Sequence, residues 1–168
     1  MRTGILIGIG ANLVPDGYGS AREGCEAAIA RLGGADIDVT AVSPWYETAP
    51  VPVSDQPWFN NAVIAAQTAL PVDQALAALH RIESEFGRMR TVRNAARVLD
   101  LDLLDYGAGA YDRNGITVPH PRLHQRAFVL LPLRDVAPDY HHPVSGMSID
   151  EMIDGLPADQ QIRRADGA

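Results

Sequence analysis

Ile5, Ile7 and Ile9 alternate with small or polar neighbours, the period of a half-buried strand. Gly8, Gly10 and the turn chemistry of Asn12, Pro15 and Gly17 break it. The period then becomes helical. Ser20-x-x-Glu23 forms a capping box, Cys25, Ala28, Ile29 and Leu32 share one face, and Gly33-Gly34 stops the helix. Ile37, Val39 and Ala41 predict a second strand over 37–46, and the proline-rich stretch 47–57 predicts a loop. A third strand spans 59–68, with Asn61 on the parity of Phe59 and Val63.

Pro71 suits a first helical turn. Val72, Leu76, Leu79, Ile82 and Phe86 then make a helical stripe ending at Gly87. Residues 98–106 predict a fourth strand and 116–118 a short one. A helix over 125–131 should stop at Pro132, and a last one should start at the Ser148-x-x-Glu151 capping box. The order β-α-β-β-α-β predicts an α+β, ferredoxin-like antiparallel sheet with helices packed on one face. No linker or repeat interrupts it, so residues 1–168 read as a single domain.

Composition narrows the chemistry. The net charge of −7 argues against nucleic-acid or membrane-surface binding, and no apolar run is long enough to span a bilayer. A single cysteine and the lack of a signal-peptide layout lead us to expect a cytoplasmic protein. All 14 basic residues are arginine. Mechanisms that need a lysine are therefore excluded: the P-loop, the protein-kinase ATP lysine and the Schiff base. Eight arginines fall between Arg81 and Arg126 beside six acids, making that stretch locally +2. A phosphate site here must rest on arginine forks, metal and backbone N–H groups.

Leu99-Asp100-Leu101-Asp102-Leu103 turns leucines to one face of a strand and both aspartates to the other, with the aspartate Cα atoms about 7 Å apart. Such a pair suits Mg²⁺ drawn onto a polyphosphate; alone, it is equally a solvated strand face. Upstream, Arg88, Arg90, Arg93 and Arg97 form a basic loop fit to clamp Mg-polyphosphate or simply to face water. His80 and Glu83 read by themselves as surface polar residues on one helix flank. Cys25 reads as a core residue. His120 lies in a rigid turn between Pro119 and Pro121; with His124 it lacks the Glu or Cys that a zinc set needs. His141-His142 reads as an exposed loop. Gly8-x-Gly10 is not a dinucleotide fingerprint, because Leu13 stands where the third glycine belongs.

Gly10-Ala11-Asn12-Leu13 resembles the Gly-Ser-Asn-Leu of the 6-hydroxymethyl-7,8-dihydropterin pyrophosphokinases. Ser43-Pro44-Trp45-Tyr46-Glu47-Thr48-Ala49-Pro50 resembles their Ser-x-x-Tyr-x-Thr-x-Pro, and Gln56-Pro57-Trp58-Phe59-Asn60-Asn61-Ala62 their Gln-Pro-x-aromatic-x-Asn-Ala segment. Arg81-Ile82-Glu83, Gly87-Arg88-x-Arg90, Arg97-x-Leu99-Asp100-Leu101-Asp102 and Thr117-Val118-Pro119-His120-Pro121-Arg122 with Arg126-x-Phe128 follow in the family's order. Two departures stand out: Ala11 for the usual serine, and Asn94-Ala95-Ala96 where many members have Trp-Gly-Pro.

The resemblance implies transfer of pyrophosphate from ATP to the pterin hydroxymethyl group, with AMP leaving, in folate biosynthesis. It implies that Phe59 and Phe128 sandwich the pterin while Asn61, Thr48 and Val51 read its polar edge. Asp100 and Asp102 would hold two Mg²⁺ ions and, with Arg88 and Arg97, form the catalytic set. Arg88, Arg90, Arg97, His120 and Arg126 would handle the triphosphate, with His80, Glu83, Leu103 and Thr117 nearer the nucleoside. The expected partners are these two substrates, with the chain a monomer or weak dimer. Two other readings stay open, a Mg-dependent nucleotidyltransferase and a non-catalytic ferredoxin-like ligand-binding module.

Overall fold

The computed structural model describes residues 2–50, 54–87, 98–107 and 109–165. Its centre is β1 (Thr3–Ala11), antiparallel to β4 (Phe59–Thr68) on one side and to β5 (Asp100–Tyr106) on the other. The far edge of β4 is shared by β2 (Ile37–Val42) and β3 (Tyr46–Thr48), and β8 (Ile162–Arg164) extends the sheet beyond β3. A separate hairpin joins β6 (Tyr111–Arg113) to β7 (Ile116–Val118).

Helices α1 (Ala21–Leu32) and α2 (Val72–Glu85) cover one face. Ile5, Ile7, Ile9, Leu101 and Leu103 meet Cys25, Leu32, Leu79 and Ile82 there in one core. Residues of opposite parity, Val63 together with Leu104, pack with α3 (Ala127–Val136) and α4 (Ile149–Asp154) in a second core. The antiparallel α+β plan therefore holds, and the C-terminal third adds helices on the second face. Leu79 and Leu130 are wholly buried in the first and second core respectively. Cutting either to alanine should cost about 2–5 kcal/mol.

Local differences from the sequence reading have physical causes. The strand expected over 37–46 is two strands, because Pro44 has no N–H for the ladder and Ser43 bridges the gap. The Ser43 backbone N–H donates to the Val63 carbonyl and its Oγ accepts from the Val63 N–H, both at 2.9 Å. β3 reaches into the expected loop 47–57. Pro132 does not stop the helix of 125–131; it sits inside α3, buried, where it withholds one bond from the Phe128 carbonyl. At α1, Ser20 caps Glu23 N, but Glu23 Oε2 accepts from Gly19 N at 2.8 Å rather than from Ser20. The Ser148–Glu151 box is complete. His141 is exposed, as expected, and forms an isolated bridge to Ser148. Cys25 is buried and its thiol is pushed up to about 12 by burial first, then by Glu26 and Asp100.

Candidate functional site

One row crosses the sheet on the α3 face. Asp100 pairs with Gly10, Gly10 with Asn61, and Asn61 with Tyr46. At about 4.8 Å per strand, Asp100 and Asn61 stand roughly 10 Å apart. Between them Gly10 leaves bare backbone, and the Asn61 side chain lies over it. A Cβ at position 10 would meet Asn61 Oδ1 at 2.4 Å. Asn61 Nδ2 donates to Thr48 Oγ1 at 2.7 Å, so two buried polar groups hold each other on this floor.

The neighbouring motifs serve that floor. Asn12, buried, donates from Nδ2 to Gln56 Oε1 at 3.1 Å and to the Pro57 carbonyl at 3.0 Å, tying the end of β1 to the segment that leads into Phe59. The Tyr46 hydroxyl donates to Asp135 Oδ2 at 2.5 Å, bolting α3 to β3. Burial, with Asp135 as acceptor, raises the Tyr46 phenol to about 12. Ala11 packs wholly buried in the α1–α2 core, so the departure from serine falls on the face away from Asn61.

Phe59 and Phe128 are half-buried. Phe128 packs against the second core, with the Arg126 guanidinium carbon 5.2 Å from its ring centre. Among the described residues Phe59 and Phe128 make no ring contact with each other.

A concavity of about 270 Å³ follows the outer edge of β5. Leu76 and His80 of α2, Leu101, Asp102 and Leu103 of β5, and Gly115 to Val118 with His120 and Pro121 line it. His80, Leu103, Thr117 and His120, all expected near ATP, thus meet in one cleft. Glu83 does not line it. It is wholly buried, and one of its contacts is Oε2 accepting from the Leu101 N–H at 2.8 Å. This corrects its reading, taken by itself, as a surface polar residue: the carboxylate holds the aspartate strand.

The His120 N–H donates to the Leu104 carbonyl at 2.8 Å, while its ring Nδ1 accepts from the Arg122 N–H at 3.1 Å. That acceptor role leaves the proton on Nε2 of the neutral ring. Burial, reinforced by Arg126 and Arg122 and opposed by Asp100, pushes the imidazole down to about 4. The Val118–Pro119 peptide before it is cis.

Asp100 and Asp102 are both half-buried on the edge strand, Asp102 lining the cleft and Asp100 beginning the row to Asn61. Among the described residues no group of three or more acidic, histidine or cysteine side chains forms a closed metal cage. Two carboxylates with hard oxygen donors fit Mg²⁺ that arrives with a polyphosphate and keeps some of its water. Val51, Arg88, Arg90 and Arg97, and the Asn94-Ala95-Ala96 departure, lie outside the described residues.

Sequence reasoning missed Gln160. Its Oε1 accepts from the Ala127 N–H and its Nε2 donates to the Gln125 carbonyl, both at 2.8 Å. No spacing in the sequence signals a contact made across 33 residues.

Residues 6–138 match the family model described as 7,8-dihydro-6-hydroxymethylpterin-pyrophosphokinase. A 2-amino-4-hydroxy-6-hydroxymethyldihydropteridine pyrophosphokinase of Pseudomonas aeruginosa is 38% identical over 167 residues, covering 98% of both chains. The protein of that name from Synechocystis is 35% identical over 90% of this chain and 75% of its own length. The folic acid synthesis protein fol1 of Pneumocystis carinii is 41% identical over 73% of this chain, which spans only 16% of that protein. A Plasmodium falciparum HPPK-DHPS crystal structure superposes with a TM-score of 0.69 at 14% identity, over 92% of this chain and 44% of that one, a likeness of fold.

Proposed function

Because this chain belongs to the 7,8-dihydro-6-hydroxymethylpterin-pyrophosphokinase family, we propose that it transfers pyrophosphate from ATP to the hydroxymethyl group of 6-hydroxymethyl-7,8-dihydropterin, releasing AMP, as a cytosolic step of folate biosynthesis. One observation carries the reading. The aspartate strand separates a cleft lined by His80, Leu103, Thr117 and His120 from a floor built of Asn61 and Thr48. A nucleotide in the first and a pterin on the second would meet at Asp100 and Asp102.

In this scheme the adenosine end occupies the cleft beside Leu103 and Thr117, along an edge strand whose backbone can donate and accept. Neutral His120 offers Nε2–H to a phosphate oxygen, and Arg126 offers charge. Asn61 and Thr48 read the amide-like edge of the pterin, and Phe59 and Phe128 flank its faces. Asp100 and Asp102 would hold Mg²⁺, two ions with ATP, and the metal when bound supplies charge neutralisation on the phosphates. Arg88, Arg90 and Arg97 are assigned to the triphosphate by their motif.

The pterin hydroxymethyl oxygen attacks the β-phosphorus and loses its proton. The bond from that phosphorus to the oxygen bridging the α- and β-phosphates breaks, and AMP leaves with the electron pair. Holding both substrates in line lowers the barrier without a covalent enzyme intermediate.

The test is to incubate the protein with ATP, Mg²⁺ and the hydroxymethyl dihydropterin and to follow phosphorus-31 resonances. AMP and a pterin pyrophosphate are expected in equal amounts. Inorganic pyrophosphate with an adenylylated pterin would make the chain a nucleotidyltransferase, and binding without turnover would make it a ligand-binding module.

A further inference from the structure

The turn that begins α3 carries Arg126 and Phe128 and has no local cap. Arg126 occupies the N-cap position and its side chain makes no capping bond. The first helical N–H groups of any α-helix lack partners within the helix. Here the Ala127 N–H is satisfied from far along the chain, by Gln160 Oε1 at 2.8 Å, while Gln160 Nε2 donates to the Gln125 carbonyl at the same distance. The carboxamide thus spans the peptide groups on both sides of Arg126. A glutamine suits this place because it presents one acceptor and one donor, and the two partners fix which way its amide faces.

The backbone beside Gln160 is held just as firmly to the other wall. The Ala49 N–H donates to the Gln161 carbonyl at 3.1 Å, and the strand that follows pairs Ile162 with Thr48. Thr48 is the residue that accepts from Asn61. Gln160 therefore joins the floor bearing Thr48 and Asn61 to the turn bearing Arg126 and Phe128. It lies beyond residues 6–138, the stretch the family model covers.

We propose that Gln160 is a positioning residue for the pterin: its side chain sets how far the turn of Arg126 and Phe128 stands from the floor of Thr48 and Asn61. The inference rests on the pyrophosphokinase reading given above. Gln160 touches no substrate in this scheme and acts through the turn it holds. Gln160→Ala removes both bonds and lets the turn drift. Gln160→Glu keeps an acceptor for Ala127 but sets a carboxylate oxygen against the Gln125 carbonyl, so it separates the two halves of the bridge. Gln160→Asn keeps both functions on a side chain one carbon shorter, unable to span the same two groups.

The experiment titrates 6-hydroxymethylpterin by its fluorescence into the full chain in the presence of Mg²⁺ and α,β-methylene ATP. Melting curves and steady-state kinetics accompany it. Gln160→Ala should raise the pterin Kd about tenfold, the scale of one to two lost hydrogen bonds. Its KM for pterin should rise more than kcat falls, with the variant still folded and melting cooperatively above the assay temperature. Gln160→Glu should fall between the two, and Gln160→Asn should behave as Gln160→Ala does. Unchanged pterin binding in the folded alanine variant would overturn the proposal. So would a loss of pterin binding that only follows melting and vanishes at temperatures where the variant is fully folded, which marks a purely structural residue. If the parent chain itself bound no pterin, the functional reading would fail and take this inference with it; the parent titration tells the two failures apart.

Discussion

Glu83 Oε2 lies 2.8 Å from the amide nitrogen of Leu101, so a wholly buried carboxylate on α2 holds the residue between Asp100 and Asp102. Removing it would strand a buried N–H and release the aspartate strand. Glu83→Ala should lower stability by about 2 kcal/mol, within the range for an orphaned buried donor. Urea unfolding checks this. ATP affinity, measured below the transition, should change less than it does for His80→Ala, whose side chain lines the cleft.

Asp102 lines that cleft from the edge strand and is half-buried. Asp102→Asn keeps the volume and removes the charge a metal needs. The expected result is a loss on the order of a thousandfold in turnover with an unchanged melting temperature. A variant as active as the parent, and as responsive to Mg²⁺, would remove Asp102 from the metal site.

Gly10→Ala sets a methyl 2.4 Å from Asn61 Oδ1, and one of them must move. The side chain that yields is the one donating to Thr48. Pterin affinity should fall about tenfold or more, the value of a displaced polar contact or two, while Mg-ATP binding stays near that of the parent. Paired titrations of the two ligands test this.

His120 gives a pH signature. Its imidazole is pushed from the ordinary 6.5 down to about 4 by burial first. Between those values the unfolded chain holds a proton that the folded chain does not. The sign is therefore fixed: His120's contribution to stability is complete above pH 6.5 and is lost as the pH falls towards 4. His120→Gln should flatten the fall in denaturation midpoint across that window. In the parent, ATP affinity should show no inflection near 6.5 from this ring, read by calorimetry from pH 8 to 5.5.

The plan of the sheet was legible because alternation and capping are local. Ile5, Ile7 and Ile9 announced β1, and Val72, Leu79 and Ile82 announced α2. The Asp100–Asp102 parity was legible for the same reason, since a strand's period is fixed by its backbone. What stayed hidden depends on partners remote in sequence. Nothing local distinguishes a Glu83 that holds a strand from one that faces water, and nothing local shows that the helix continues through Pro132 to bury Leu133 beside Leu130 in the second core. The strand Ile162–Arg164 gives only three residues of pattern, and its pairing with β3 is a tertiary event. The family resemblance supplied residue roles, whereas the reasons for Ser43 and Asn12 in its motifs emerge only from the bonds that they make.

The sheet also guards its own borders. On β5, one outward N–H is taken by Glu83 and one outward carbonyl by His120. β8 is three residues long and carries Arg163 and Arg164. β2, the longest of the remaining edges, has an irregular register between Val39 and Ala41 and bears Asp38. Short length, charge and a bulge are each known ways of refusing an incoming strand. Among the described residues, none of these three borders is at once long, regular and uncharged. Concentrating the protein should therefore leave its sheets unjoined, and aggregation, when it comes, should begin from unfolded chains rather than from native edges zipping together.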